Sequence, residues 1–464
     1  GTLANQNFTS ATDSFNTAVG HIAGNAVTTG QYNTFVGSLA GSGATTADDN
    51  TAMGYNSFAN NTTGVRNVAL GAYSLDAGSA TFSDNTAVGW GSLGTATTGA
   101  QNAALGRSAG SALTTANNCT FLGYASGTAV TTGSSNTLIG AYSGDAITTG
   151  ETNTAVGYAS LSNDLKGHRS VAVGYEALAT QQFGSTTNAY NVAVGYHAGN
   201  DITTGIENVL IGGLAGDVLT DSDRNVAVGY AALSDETLGQ YSTAVGWQAL
   251  LSQANSSAAN VYNTAVGYSA GSSITTGQTN TLVGGAAGDA ITTGDSATAV
   301  GYNALGAMTT GGSNTAVGDS ALEACTTGNS NSAVGRRALR DNTVGDRNTA
   351  MGFAALESMN PASNADTYNT AFGYNAGTAV TTGTKNTFVG GSAGGSVTTG
   401  VGNVAIGYNA GGATTGTDNT LIGHDAGSAI TSGSDNVVIG SYDGNEGGLD
   451  IRTANGNIVL SDGD

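Results

Sequence analysis

Apolar and polar residues alternate along this chain in a short motif that recurs at an almost constant spacing. The five-residue word Asn-Thr-Ala-Val-Gly begins at Asn16 and recurs 25 times with substitutions, the last time at Asn457. Nineteen of the 25 intervals are 17 residues long, four are 21, one is 18 and one is 16. A fixed period of this kind indicates a repeat architecture in which each unit stacks on its neighbours.

One full unit reads Asn-Thr-Ala-Val-Gly-Tyr-x-Ala-Gly-x-x-Ile-Thr-Thr-Gly-x-x, as between Asn263 and Asn280. We number its positions 1 to 17 from the opening Asn. Gly recurs at two or three of these positions, and each Gly costs about 1 kcal/mol in a helix interior. Short β-prone stretches between Gly, Asn and Thr predict an all-β fold instead, a parallel β-solenoid (β-roll) of about 26 coils of 17 residues.

The repeat also predicts the organisation of the chain. Residues 1–15 form a lead-in, residues 16–440 form the solenoid, and residues 441–464 hold a degenerate last coil and a C-terminal segment. Adjacent strands lie about 4.8 Å apart, so 26 coils predict a rod roughly 125 Å long.

Position 1 is Asn in 22 of the 26 words. Two structural roles are open for it. The side chains can stack into a ladder, in which each amide pairs with the amides of the coils above and below. Alternatively, each Asn can cap its own turn independently.

Position 3 predicts an oligomer. Successive strand side chains point to opposite faces, and we expect positions 2 and 4 to face the coil interior and position 3 to face outward. Position 3 is apolar in every word. An outward apolar stripe of this length predicts an equally long partner, most economically two further copies of the chain in a homotrimer. The large members of this predicted oligomer stripe are Phe35, Phe121, Leu138, Leu210, Leu282, Phe388 and Leu421.

Three of the four 21-residue intervals share one form, with Ala-Leu, a polar excursion and then Tyr-Asn. They form enlarged coils at 170–190, 242–262 and 348–368. Insertions in solenoids map to loops on one side, where binding specificity usually lies, although tolerated loop drift explains them equally well. The candidate receptor-contact residues are Gln181, Gln182, Phe183, Tyr190, Gln253, Asn255, Tyr262, Met359, Asn360, Pro361 and Tyr368.

Composition narrows the chemistry. The chain carries 32 acidic and 11 basic residues for a net charge of −21, with no basic run, so nucleic acid is not expected as a partner. The four His residues lie in separate units without metal-ligand spacing, and no nucleophile constellation stands out. We therefore expect no cofactor, no metal and no enzymatic activity. No stretch approaches the roughly 20 apolar residues of a membrane span.

The repeat resembles two related groups of proteins. Its anchor word is similar to the head repeat of YadA-like trimeric autotransporter adhesins, and this resemblance implies left-handed parallel β-rolls packed as trimers. The longer unit, with its Thr-Thr-Gly half, resembles bacteriophage tail-fibre proteins, notably those of marine and cyanobacterial phages. Residues 456–464 also resemble the segment that precedes a self-cleaving trimerising chaperone domain in such fibres.

These resemblances imply an extracellular location on a virion, as the shaft of a tail fibre that mediates or presents attachment to a host cell-surface receptor, for which a glycan is one candidate. A bacterial surface adhesin or extracellular filament subunit is the alternative of the same class. An ice-binding solenoid is the alternative of another class, because the Ile-Thr-Thr-Gly word repeats Thr along one face.

Overall fold

The structure is a computed structural model that describes residues 14–77, 81–412 and 415–461. These residues contain strands and turns and no helix. They divide into two compact units, residues 1–228 and residues 229–464. Each unit is a parallel β-solenoid of coils of about 17 residues, which confirms the prediction of an all-β, parallel β-solenoid fold. Most of the predicted lead-in, and the last three residues of the C-terminal segment, lie outside the described residues.

The described residues of unit 1 contain 13 three-residue anchor strands and one pair of two-residue strands. In chain order they are β1 Thr17–Val19, β2 Thr34–Val36, β3 Thr51–Met53, β4 Val68–Leu70, β5 Thr86–Val88, β6 Ala103–Leu105, β7 Thr120–Leu122, β8 Thr137–Ile139, β9 Thr154–Val156, β10 Gly167–His168, β11 Val171–Val173, β12 Thr187–Asn188, β13 Val192–Val194, β14 Val209–Ile211 and β15 Val226–Val228.

Unit 2 repeats this arrangement, with 13 anchor strands and six two-residue strands among residues 229–412 and 415–461. They are β16 Gly239–Gln240, β17 Thr243–Val245, β18 Ala259–Asn260, β19 Thr264–Val266, β20 Thr281–Val283, β21 Thr298–Val300, β22 Thr315–Val317, β23 Ser332–Val334, β24 Gly345–Asp346, β25 Thr349–Met351, β26 Ala365–Asp366, β27 Thr370–Phe372, β28 Thr387–Val389, β29 Val404–Ile406, β30 Thr420–Ile422, β31 Val437–Ile439, β32 Asn445–Glu446, β33 Leu449–Asp450 and β34 Ile458–Leu460.

Within each unit the anchor strands pair in parallel with the next anchor strand, and equivalent positions lie opposite one another. Val171 of β11, for example, pairs with Thr154 of β9 on one side and Val192 of β13 on the other. A 21-residue coil keeps this register as well as a 17-residue coil does. The inserted residues are therefore accommodated at a corner and leave the anchor sheet unchanged.

The predicted facing of the anchor strand is wrong. Position 3 faces the coil interior, and all seven large members of the predicted oligomer stripe are 0–1% exposed. These seven are Phe35, Phe121, Leu138, Leu210, Leu282, Phe388 and Leu421. Positions 2 and 4 face outward instead, as in β3, where Ala52 is buried and Met53 is 52% exposed. The coil interior is narrow, and this is why position 3 is so often Ala.

The volume of position 3 is matched by position 9, on the opposite wall of the coil. A Cβ built on Gly41 would lie 2.6 Å from Cδ1 of Phe35, and one built on Gly24, a coil earlier, would lie 3.0 Å from Cδ2 of Phe35. Position 9 is accordingly Gly wherever position 3 of the same or the following coil is larger than Ala, and is Leu or Phe elsewhere. The core is therefore filled by pairing a large side chain at one of these two facing positions with a small residue at the other, which we call the volume exchange.

This exchange predicts a compensating pair of substitutions. Ala155→Leu should overpack the core against Leu161, and Leu161→Gly should leave a cavity, each costing about 2 kcal/mol or more. Gly144 already provides room in the preceding coil. Ala155→Leu with Leu161→Gly should therefore recover at least about 1 kcal/mol relative to additivity in a thermal-unfolding double-mutant cycle. Strictly additive losses would contradict the exchange.

The Asn residues at position 1 form the ladder that was one of the two predicted alternatives. Oδ1 of Asn33 accepts hydrogen bonds from the backbone N–H (3.0 Å) and from Nδ2 (3.0 Å) of Asn50. Nδ2 of Asn33 also donates to the carbonyl oxygen of Ala47 at 2.7 Å, across its own coil. Each buried Asn thus closes one coil and joins it to the next, so that both of its polar atoms are satisfied.

Candidate functional site

The three enlarged coils each add one short strand pair at the corner where the four residues are inserted. β10 pairs with β12, β16 pairs with β18, and β24 pairs with β26, all in parallel. The inserted segment therefore leaves the path of the ordinary coil, forms one additional parallel strand pairing with the preceding coil, and then rejoins the anchor sheet. The three excursions have the same architecture.

A buried carboxylate supports the first enlarged corner from beneath. Asp164 occupies position 12 of the preceding coil, is fully buried, and accepts hydrogen bonds from the backbone N–H groups of Gly167 (3.0 Å) and Phe183 (3.2 Å). Nε2 of Gln181 donates to its other oxygen at 2.7 Å. Burial raises the pKa of the Asp164 carboxyl, and these hydrogen bonds oppose that rise. The carboxylate replaces the backbone acceptor that an ordinary coil would supply.

Glu236 has the equivalent role at the second enlarged corner. It is fully buried, and its Oε1 accepts the backbone N–H of Gly239 at 2.6 Å. Its Oε2 accepts hydrogen bonds from Gln253 (2.8 Å) and from Nδ2 of Asn255 (2.7 Å). Two different acids at the same position thus hold two different excursions in the same way.

The Gln side chains also repair the Asn ladder. At Ser170 the ladder residue is too short to span the coil, and Gln181 bridges the gap by donating to Ser170 Oγ (3.0 Å) and accepting from Asn191 Nδ2 (2.9 Å). Gln253 makes the same pair of bonds, to Ser242 (3.0 Å) and Asn263 (2.9 Å). The sequence contains this signal, because Ser at position 1 occurs together with Gln at position 12.

The third enlarged corner is built differently. Asn342 takes the place of the acid and holds the N–H of Gly345 at 2.9 Å, and Met359 takes the place of the Gln. The ladder residue here is Asn348, whose Oδ1 accepts a hydrogen bond from Thr367 Oγ1 at 2.7 Å. Because this ladder residue is an Asn, no bridging Gln is needed.

These contacts correct part of the predicted set of receptor-contact residues. Five of its members are buried inside the solenoid, 0–5% exposed, and serve to anchor the corners: Gln181, Phe183, Gln253, Asn255 and Met359. They lie in the interior because their polar groups satisfy the backbone and the ladder. The members that do reach the surface are Gln182, Tyr190, Tyr262, Asn360, Tyr368 and, half-buried, Pro361.

The three surface tyrosines pack against the coil before them. Arg169 lies over the ring of Tyr190, with its guanidinium carbon 5.5 Å from the ring centroid, and donates to its hydroxyl at 2.9 Å. Tyr262 stacks on Tyr241 at 5.3 Å. Arg347 lies over Tyr368 at 5.6 Å and forms an ion pair with Asp366. The corners are thus fixed on their outer side as well as within the core.

Positions 2 and 4 of successive coils line the outward face of the anchor sheet. Position 2 is Thr or Val in nearly every coil, and position 4 is always Val, Ile, Leu, Met or Phe. Several of these side chains are 36–55% exposed, including Val19, Leu105, Val300 and Phe372. A shallow apolar depression lies on this face in unit 1, where position 2 is Ala103. No residue at positions 2 or 4 is charged, although the chain carries a net charge of −21.

The two residues of the Thr-Thr pair differ in exposure: position 13 is half-buried, whereas position 14 is exposed, as at Thr132 and Thr293. Position 13 hydroxyls donate to the backbone carbonyl of the next coil, as Thr131 does to Thr148 and Thr292 does to Thr309, both at 3.1 Å. Their donors are therefore used within the fold. Any regular row of hydroxyl groups on the Ile-Thr-Thr-Gly word is therefore supplied by position 14.

Other candidate chemistry is sparse. Within residues 14–77, 81–412 and 415–461, no three His, Cys, Asp or Glu side chains come together in a way that could hold a metal ion. The same residues contain no helix long and apolar enough to cross a membrane. Cys119 and Cys325 are free and buried, and burial raises both thiol pKa values, that of Cys325 to about 12.

No protein-family model matches this sequence, and no curated protein matches it.

Proposed function

We propose that this chain is the shaft of an extracellular fibre of the phage tail-fibre class, a left-handed β-roll that assembles as a homotrimer and presents surfaces for attachment to a host cell. The observation that carries this proposal is the uncharged outer face of the anchor sheet. A chain with a net charge of −21 that keeps this face free of charge has a surface suited to a second copy of itself.

The size of the face supports assembly. Full burial of a Val, Leu, Ile or Met side chain removes roughly 60–120 Å² from water. With a third to a half of many position 4 side chains exposed, the face offers of order 400 Å² of apolar surface in each unit, before the methyl groups of position 2 are counted. Soluble monomers rarely expose contiguous apolar patches above a few hundred Å², and a standard interface buries about 800 Å² per partner.

The enlarged corners supply the candidate attachment surface. Their tips are exposed and polar, around Thr186, Ser257 and Ser363, and they stand on a buried network that keeps the corner rigid. A rigid base under a variable polar loop is how many scaffolds present binding residues.

A cysteine-accessibility experiment tests the interface. Both native thiols are buried, so an introduced cysteine is the reactive one. We expect Val300→Cys, at a site 36% exposed in the single chain, to be protected from a maleimide reagent in the native particle, whereas Ser257→Cys on an exposed tip should react rapidly. If the two introduced cysteines react with the maleimide at equal rates in the native assembly, the outer face is not an interface between copies of the chain.

Ice binding at the same outer face is the second candidate. Thr264, Thr281 and Thr298 lie in register at position 2 of successive coils, which places regularly spaced hydroxyl and methyl groups beside the position 4 side chains. Thermal hysteresis from a monomeric protein would favour this function. Absence of hysteresis, together with protection of Val300→Cys, would exclude it.

A further inference from the structure

Position 6 carries a row of exposed aromatic side chains next to the outer face. Where consecutive coils both carry a ring, the rings stack and cover one another. Tyr175 lies 5.3 Å from Tyr158 and 5.6 Å from Tyr196, with interplanar angles of 12° and 16°. In such a continuous stack the ring faces are occupied, and only the ring edges meet solvent.

The row is interrupted twice in unit 2 by a glycine between two tyrosines. Gly285 lies between Tyr268 and Tyr302, and Gly391 lies between Tyr374 and Tyr408. These four tyrosines are 60–67% exposed, whereas Tyr158 and Tyr175 in the continuous stack are 46% and 44% exposed. The added exposure indicates that each glycine leaves one ring face uncovered on either side. We call these two gaps the tyrosine slots.

The slot at Gly391 is the better formed of the two. A Cβ built on Gly391 would lie 3.3 Å from Cδ2 of Tyr408, so this ring rests over bare backbone at the floor of the slot. Behind one wall, Phe353 stacks on Tyr374 at 5.4 Å; behind the other, His424 stacks on Tyr408 at 5.5 Å. Both walls are thus supported before any ligand arrives, which reduces the entropy cost of binding.

The slot at Gly285 has the same floor and one supported wall. Trp247 stacks on Tyr268 at 5.0 Å with an interplanar angle of 5°. On the far side, Cδ2 of Tyr302 lies 3.6 Å from a Cβ built on Gly285. The two slots therefore share one design: two tyrosine walls two coils apart, with glycine between them.

The width of a slot selects the ligand. Rings in consecutive coils are 5.0–5.5 Å apart beside these slots. Adjacent strands lie about 4.8 Å apart, so the two walls of a slot leave the backbone roughly 10 Å from one another. Carbon atoms in contact lie about 3.5–4.0 Å apart, so a flat ring fills only about 7–8 Å of this width. The chair of a pyranose, with hydrogen atoms projecting above and below its mean plane, fills the remainder.

We propose that each tyrosine slot holds one pyranose residue of a host-surface polysaccharide, with C–H groups packed against both tyrosine rings. This inference rests on the proposed attachment function for the source of the glycan. A net charge of −21 favours neutral or amino sugars over acidic ones.

Titration calorimetry of the full chain with maltohexaose, cellohexaose and chitohexaose tests the proposal. At least one of the three should bind. The double substitution Gly285→Tyr and Gly391→Tyr introduces a side chain that other coils already carry at position 6. It should convert both slots into continuous stacks and remove two binding sites per chain.

Unchanged binding in the double-Tyr variant would overturn the proposal, as would failure of all three hexaoses to bind the native protein. None of these outcomes bears on the oligomeric state. A loss of the glycan sites therefore leaves the proposed fibre standing, and a monomeric mass would count against the fibre independently.

Discussion

Gly123→Ala should break the stack of coils locally and make Cys119 reactive. Gly123 has φ of +136°, a conformation available essentially to Gly alone, and a Cβ built on it would lie 2.6 Å from the backbone carbonyl group of Gly140 in the next coil. The backbone strain is about 1–3 kcal/mol, and the steric conflict with a main-chain group adds to it. We expect a local destabilisation of at least about 4 kcal/mol.

The two native thiols report this effect with an internal reference. Cys119 opens the same coil as Gly123, whereas Cys325 lies in unit 2, and both are 0–1% exposed. Thiol labelling of the variant should accelerate at Cys119 and stay slow at Cys325. Gly184→Ala is the matched control, because a Cβ there meets nothing within 4 Å. If Cys119 remains protected in Gly123→Ala, the close glycine contact is not what holds adjacent coils in register.

Negative charges placed on the outer face of the anchor sheet should dissociate the proposed trimer without unfolding the chain. Val266, Val283 and Val300 occupy position 4 of three successive coils and are 36–37% exposed in the single chain. Their replacement by Asp costs little in a solvated monomer. Buried in an interface, unpaired carboxylates cost several kcal/mol each. We expect the triple Asp variant to weaken assembly by at least 10³-fold, about 4 kcal/mol.

The matched control adds three acids to the exposed corners, as Gln182→Asp, Thr186→Asp and Ser257→Asp. It changes net charge equally and should leave the mass unchanged. Slow labelling of Cys325 in the triple Val variant shows that unit 2 is still folded. An unaltered native mass in the triple Val variant would place the contact between copies elsewhere.

The coil was predictable from the sequence because its period and its β-prone words are explicit. The facing of the strand was not, since both faces are apolar and hydrophobicity alone cannot choose between them. The deciding property is side-chain volume. Position 3 is Ala wherever position 9 of the same coil is Leu or Phe. Phe35 fits in the interior because the position 9 residues that face it, Gly24 and Gly41, have no side chain. Thr and Val outside fit an exposed β-surface, which favours β-branched residues.

The enlarged corners show a second limit. The polar residues of the inserted segments predicted a surface loop, yet Gln181 and Gln253 lie in the interior. At an enlarged corner the chain leaves the ordinary coil, and backbone N–H groups there need another hydrogen-bond acceptor. The signal was present in the sequence as Asp164, Glu236 and Asn342, polar residues at a position that is elsewhere mostly apolar. Only the three-dimensional pairing shows what those residues do.

The native mass of the assembled protein tests the central claim most directly. One chain has a mass of 45.3 kDa. Native mass spectrometry at physiological ionic strength should give three times this value. In such a trimer, the outer faces of the anchor sheets cover one another. A species with the mass of a single chain, at the same concentration and with both native thiols still protected, would contradict the account.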